Sequence, residues 1–356
     1  MGLTSAKPCA DFTFLIKNIM QASSVFIIAE IAQAHEGSLG IAHSYIDALA
    51  DTGINAVKFQ THIAEAESSD FEPFRVKFSH EDHTRFDYWK RMEFTPMQWK
   101  GLKQHCEDKG MEFISSPFSC AAVDLLEEVG VKRYKIGSGE MANFLMLEKI
   151  ARTGKPIILS SGMSDWKELK ACVDFLRPFG NELSMMQCTT AYPTQPGQWG
   201  LTMMAEIKKQ FQLPVGFSDH SSTVTAPLAA AALGASMLEF HVVFDKQMFG
   251  PDAKASLTIA EVKQLVDGVR MIEQSLHHEI NKDDVAHFSE LKVMFGKSLA
   301  VNKSLPAGHV ISFEDLESKK PGDRGIAAKE YSTVIGKKIN KALTAWSFLR
   351  AEDLDN

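Results

Sequence analysis

The stretch PVGFSDHSS, residues 214–222, opens like a buried strand and closes on a serine, an acid and a histidine. A second stretch, MLEFHVV at 237–243, does the same with a glutamate and a histidine. Six more short apolar runs precede them: VFIIAEI (25–31), AVKFQT (56–61), EFISSPF (112–118), RYKIGSG (133–139), PIILSSG (156–162) and LSMMQCT (183–189). Their length and their apolar, often β-branched content predict buried strands, and all eight end polar.

Segments with apolar residues every three or four positions lie between the runs, such as LGIAHSYIDALADTG (39–53), TPMQWKGLKQHCEDKG (95–110) and DWKELKACVDFLRPFG (165–180). Asp165 with Glu168, and Thr258 with Glu261, read as capping boxes, while Gly53, Gly110 and Gly180 stand where helices should stop. The repeating unit is strand then helix. Eight such units predict an α/β protein built on a closed TIM (β/α)8 barrel, although the pattern alone also fits an open doubly wound sheet.

The chain has 356 residues, enough for one barrel and a small second domain. After TIAEVKQLVDGVRMIEQSL (258–276) a polar stretch at 277–294 reads as a linker. From 295 to 356 the pattern changes to short strand-like pieces, SLAVNKSL and IGKKINKAL, with turn signals at Pro306 and Pro321, which predicts a small β-rich domain. Residues 1–24 stand apart as an N-terminal extension, and the barrel is assigned to 25–276.

Composition narrows the function. A net charge of −7 gives no electrostatic reason to bind nucleic acid. The five cysteines are scattered without a CxxC pair, which favours reduced thiols in a cytoplasmic protein. No apolar run is long enough to span a bilayer, and the first residues lack a signal peptide's continuous apolar core, because Asp11 and Lys17 interrupt it.

In such a barrel the C-terminal strand ends form the active-site face, so the polar ends are the candidates: Glu30, Lys58, Gln60, Ser116, Lys135, Ser138, Glu140, Ser160, Ser218, Asp219, His220, Glu239 and His241 among them. His220 and His241 end adjacent strands, so two imidazoles meet at the barrel mouth, as the ligands of Mn²⁺ or Zn²⁺ would, with Asp252 as a carboxylate nearby. Each histidine could equally hold a neighbouring carboxylate. Lys58 and Lys135 sit in apolar strands, where an unpaired ammonium is costly. They need anions: a phosphate and a carboxylate of one small ligand, cradled with Ser116, Ser138, Ser160 and Ser218, or structural partners in Glu30 and Glu140. A Schiff-base lysine is a third reading. Glu140, in GSGE, is a candidate acid/base.

The motifs IIAEIAQAHEGSL, AVKFQTH, FISSPFS, YKIGSGE, PIILSSGMS, GFSDHS and EFHVVFDKQMFGPD together resemble the sialic acid synthase family, including its spore coat polysaccharide biosynthesis protein E branch. The stretch 300–343 resembles the antifreeze-like SAF domain, a β-clip fold, that follows the barrel in that family. The resemblance implies condensation of phosphoenolpyruvate with an N-acylated hexosamine and release of phosphate, for surface polysaccharide synthesis. It implies that Lys58, Ser116, Lys135, Ser138, Ser160 and Ser218 hold phosphoenolpyruvate, that His220 and His241 hold Mn²⁺ or Mg²⁺, and that Glu30, Gln60, Glu140, Tyr192 and Asp252 lie near the sugar and the attacking water. Asp219 joins the substrate-binding candidates through the same GFSDHS motif. It also implies a homodimer in which the SAF domain of one chain closes the barrel of the other.

Three positions depart from the family, all on the sugar side. Ala34 precedes His35 where the family has asparagine, Thr190 stands for another asparagine, and Lys320-Pro321-Gly322 replaces Arg-Pro-Gly. A lysine cannot reproduce bidentate guanidinium contacts, and Arg324 is the candidate to take over from Lys320. Against the synthase stand a Schiff-base aldolase on the same barrel and a relative that binds without catalysing.

Overall fold

The computed structural model describes residues 24–76, 78–278 and 280–355. The extension at 1–24 therefore lies, but for Ser24, outside the described residues, as does Cys9. The chain divides into two compact units after His278.

The first unit is a closed parallel barrel. Its strands are β1 (Phe26–Ala32), β2 (Ala56–Thr61), β3 (Glu112–Pro117), β4 (Tyr134–Ile136), β5 (Ile157–Ser160), β6 (Leu183–Cys188), β7 (Val215–Asp219) and β8 (Met237–Val243). They pair in chain order, and β1 pairs with β8 to close the ring, from Phe26 opposite Met237 to Glu30 opposite His241. The eight apolar runs are these strands, and closure disposes of the open sheet. β4 is shorter than its apolar run, because a 3-10 turn at Ser138–Glu140 lifts the chain out of the sheet.

Helices follow the strands as the apolar spacing predicts. Asp165 and Thr258 each accept from the backbone three residues on, and Glu168 and Glu261 reciprocate, so both capping boxes form. The main core lies between the barrel's outer face and the helices, where Ile27, Val57, Phe113 and Phe217 meet Tyr45, Trp99, Leu126 and Val173.

Inside the barrel the strands alternate in the same way, and this positions the site. A separate apolar layer of Ile28, Ala56, Ile114, Ile158, Met186 and Met237 plugs the interior. Two residues on, the same faces carry Glu30, Lys58, Ser116, Ser160, Cys188 and Glu239, all of which line one cavity. On β7 the layer position is Gly216, where a Cβ would stand 2.2 Å from Met237 Cγ, so only glycine leaves Met237 its place.

The second unit has its own core of Leu299, Val301, Leu305, Ile311, Val334, Ile339, Leu343 and Leu349. β9 (Ser298–Val301) pairs antiparallel with β10 (Leu316–Lys319). The expected second strand, IGKKINKAL, makes only isolated bridges, Val310 with Lys338, Leu305 with Leu343 and Ile339 with Leu354. The reason is an internal repeat. Asn302, Lys303, Leu305, Glu314, Asp315 and Leu316 recur as Asn340, Lys341, Leu343, Glu352, Asp353 and Leu354. In each copy the asparagine amide donates to the glutamate carbonyl, at 2.9 and 2.8 Å, and the lysine pairs with the aspartate, at 2.7 and 2.5 Å. Residues 277–294, read as a linker, hold a 3-10 turn at Ala286–Phe288 and most of a helix at Ser289–Phe295.

Candidate active site

A cavity of about 410 Å³ opens where the strands end. At its floor Lys58 Nζ lies 2.5 Å from Glu30 Oε1 and 3.4 Å from Ser116 Oγ. Lys135 Nζ donates to Ser160 Oγ at 2.9 Å and to Glu239 Oε1 at 3.0 Å. Ser218 Oγ donates to the same oxygen at 3.3 Å, while Glu239 Oε2 is buried without a partner. The structural partner of Lys135 is therefore Glu239 and not Glu140, which is a correction to the pairing read from sequence. Burial disfavours the charge on both sides, but Glu239 and Glu30 outweigh it and raise Lys135 above the usual lysine value. For Glu30, Lys58, His241 and Lys135 likewise overcome burial and hold the carboxyl well below its usual range.

Gln60 Nε2 donates to Glu30 Oε1 at 2.7 Å, which fixes the amide on the cavity side. His220 and His241 stand side by side, with ring centroids 5.3 Å apart, and Tyr192 packs on His220 at 4.3 Å. His220 Nδ1 donates to the Thr189 carbonyl at 3.0 Å, which leaves Nε2 to bear a lone pair when the ring is neutral. His241 Nε2 is 3.5 Å from Glu30 Oε2. Burial holds His241 below the usual histidine value, whereas at His220 Cys188, the Thr189 carbonyl and Glu30 overcome burial and push it up to about 9.

Among the described residues no group of three or more His, Cys, Asp or Glu is arranged to hold a metal ion. Two adjacent imidazoles, one oriented by a backbone carbonyl, are the residues that would hold a divalent ion here, and holding one would require His220 to give up its proton.

Ser138 Oγ accepts from the Gly162 amide at 3.2 Å, and a Cβ on Gly162 would meet Ser138 Oγ at 2.5 Å, so this approach needs glycine. Glu140 Oε2 accepts from Asn143 at 2.8 Å, and burial raises its pKa. Asp252 pairs with Arg75 at 2.6 Å.

Asp219 does not join them. It sits between Ser218 and His220, so strand alternation turns it away from the cavity, and its carboxylate accepts from Ser221 N and Oγ at 3.1 and 2.8 Å. Lys320 and Arg324 belong to the second unit, where Lys320 Nζ lies 4.9 Å over the Phe295 ring and Arg324 N donates to Ser298 Oγ at 3.2 Å.

A family model described as the NeuB family matches residues 45–281, and one described as the SAF domain matches residues 296–355. The chain belongs to the NeuB family. It is 35% identical to N,N'-diacetyllegionaminic acid synthase of Campylobacter jejuni, over 88% of this chain and 96% of that one. It is 32% identical to the human N-acetylneuraminate-9-phosphate synthase, over 93% of each. The solved structure of the Bacillus subtilis spore coat polysaccharide biosynthesis protein spsE superposes with a TM-score of 0.62 at 27% identity, covering 94% of this chain and 96% of that one.

In this NeuB family member several cavity residues escaped the sequence reading. Glu239 was in view as a strand end, and its position two residues before His241 on one strand face should have put it beside the lysines. His62 stacks between Trp89 and Phe118, with centroids at 3.9 and 4.5 Å, and bonds Glu67 at 2.6 Å. Arg75 lies over Tyr192 at 4.3 Å, and Arg85 over Trp89 at 4.6 Å. Arg75 comes from the segment after β2 and Arg85 is the first residue of the helix Arg85–Met92, where no periodic pattern pointed inward. Among the described residues no helix is long and apolar enough to cross a membrane.

Proposed function

We propose that this chain is a nonulosonic acid synthase that condenses phosphoenolpyruvate with an N-acylated hexosamine in its open-chain aldehyde form, with a divalent ion such as Mn²⁺ or Mg²⁺, and releases phosphate. The observation that carries the reading is the floor of the cavity, where two buried ammoniums and four serine hydroxyls stand beside a pair of imidazoles. That set suits a small ligand with both a carboxylate and a phosphate, and relatives from Campylobacter jejuni and human that match most of the chain's length carry synthase names.

In this mechanism Lys58 and Lys135 hold the carboxylate and phosphate of phosphoenolpyruvate and stabilise their charge throughout. His220 and His241 would hold the ion, which when bound supplies Lewis-acid polarisation of the aldehyde oxygen. C3 of phosphoenolpyruvate attacks the aldehyde carbon, water adds to the cationic C2, and the tetrahedral intermediate loses phosphate by C–O cleavage. Glu140, its pKa raised by burial, is the candidate to move the proton. Gln60, Tyr192 and Asp252 face the acceptor. The reading places the reaction in the cytoplasm and includes a homodimer, which sedimentation would test.

The test is phosphate release from phosphoenolpyruvate with Mn²⁺ across N-acetyl and di-N-acetyl hexosamines. Release with one acceptor, abolished by EDTA, supports the synthase; binding of phosphoenolpyruvate with no release on any acceptor refutes it.

A further inference from the structure

Two buried side chains of the cavity wall, His62 and Glu67, take no part in the mechanism above. His62 follows β2, and its ring lies between Trp89 and Phe118, within 16° of parallel to both. The stack fixes the plane of the ring, so its two nitrogens are held towards different neighbours. Nδ1 lies 2.6 Å from Glu67 Oε1, and Nε2 lies 2.9 Å from the amide nitrogen of Gln33.

These contacts run on to the floor as one chain of hydrogen bonds. The Glu30 carboxylate, paired with Lys58 at 2.5 Å, can only accept, so Gln60 must turn its Nε2 towards it, at 2.7 Å. Gln60 Oε1 then faces the other way and accepts from Gln33 Nε2. The remaining N–H of Gln33 meets His62 Nε2, which must therefore carry a lone pair. A neutral ring with a bare Nε2 has its proton on Nδ1, where Glu67 accepts it. Nε2 also lies 3.3 Å from Gln60 Oε1, the longer of its two contacts. Both ends of the chain are thus carboxylates that accept, and Gln33 between them donates both ways. Reversing any one link sets two donors or two acceptors against each other.

The consequence falls on Gln60. One N–H is committed to Glu30 and Oε1 to Gln33, which leaves a second N–H, without a partner among the described residues, for a ligand in the cavity. Glu30 decides which end of the amide faces the floor, and Gln33 with His62 decides where the amide lies.

Resting on the synthase reading above, we propose that His62 is a positioning residue. Anchored by Glu67, its Nε2 holds Gln33, and Gln33 holds the Gln60 amide with one N–H presented to an oxygen of the acceptor sugar.

Two measurements test this, and the first needs no turnover. In the full chain carrying ¹⁵N-labelled histidine, long-range ¹H–¹⁵N spectra at neutral pH should show the His62 proton on Nδ1 and none on Nε2, the signals being assigned by their loss in His62→Gln. A proton on Nε2 overturns the proposal, whatever the chain catalyses. The second is kinetic, with Mn²⁺, phosphoenolpyruvate and the sugar that the phosphate-release test identifies. His62→Phe keeps the aromatic stack and removes both hydrogen bonds, so kcat/KM for the sugar should fall by about five-fold or more, the scale of one hydrogen bond. Gln33→Leu should match it, and the double variant should lose no more than either single one, because both break the same chain. His62→Gln, whose amide oxygen can stand where Nε2 does, should recover most of the loss. Losses that add, or a His62→Gln no better than His62→Phe, overturn the proposal. If no sugar is turned over, the synthase reading fails; in that case, or if His62→Phe does not fold, the spectra decide, a bare Nε2 supporting the hydrogen-bond chain and a protonated one overturning it.

Discussion

Lys58 and Lys135 converge on one oxygen: their Nζ atoms lie 3.7 and 3.0 Å from Glu239 Oε1. All three side chains are almost fully buried, so the carboxylate is part of what makes two ammoniums tolerable at the barrel floor. Glu239→Gln keeps the shape and removes the charge. Denaturant titration should show a loss of about 3–5 kcal/mol, the scale for breaking a buried ion pair. Phosphoenolpyruvate should then raise the melting temperature of the variant more than that of the parent, because its anionic groups restore the missing charge. A variant as stable as the parent would show that the lysines have other compensation.

The same geometry bears on the Schiff-base alternative. An imine requires a neutral amine, and Glu239 and Glu30 overcome burial to raise Lys135 above the ordinary lysine value. Borohydride added with pyruvate should therefore leave the intact protein mass unchanged. A reduced pyruvyl adduct on Lys135 would reverse the assignment to the aldolase.

Glu36 predicts a pH dependence of stability. Burial pushes its carboxyl up to about 7 against the pull of Arg91, whose Nη1 is 3.1 Å from Oε2, while Oε1 is buried without a partner. The ordinary value is 4.5, so between 4.5 and about 7 the folded chain keeps a proton that the unfolded chain releases. Its contribution is full below about 4.5 and is lost as the pH rises through 7, by about 2 kcal/mol after allowing for partial solvent screening. Glu36→Gln, measured by denaturant titration from pH 4.5 to 8, should flatten that slope; an unchanged slope assigns it to another group.

In the second unit Trp346 occupies the repeat position held by Gly308 in the first copy, and both have left-handed backbones, φ +66 and +82. A side chain is strained there where glycine is not. Trp346 is 55% exposed, so little packing is lost on removing it. Trp346→Gly is expected to be neutral or to stabilise the unit by up to about 1 kcal/mol, against the usual loss for an aromatic residue. A clear drop in melting temperature would mean that the indole makes a contact worth more than the strain.

The barrel was legible because its signal is local and repeated. A strand buried on both faces must be apolar along its length, so the polar residues at the ends of β2, β5 and β7 stood out, and with them Lys58, Ser160, Ser218 and His220. Asp219 was misread because adjacency in the letters was given more weight than alternation along β7. The repeat of the second unit was present in the letters too, as NK–L and EDL in both halves, but its pairing is between copies and so has no short-range signature.

By itself, then, the sequence determined which residues end the strands, because burial sets composition and a period of two sets the face. The tertiary structure alone decided which charges meet. Glu239 answers Lys135 because β4 and β8 face each other across the closed ring, and Arg75 answers Asp252 because Phe74, Phe78 and Phe86 pin the segment after β2 against Tyr88 and Trp89. Both are contacts between residues far apart in the chain, and Coulomb interaction depends on the distance through space that ring closure and aromatic packing create.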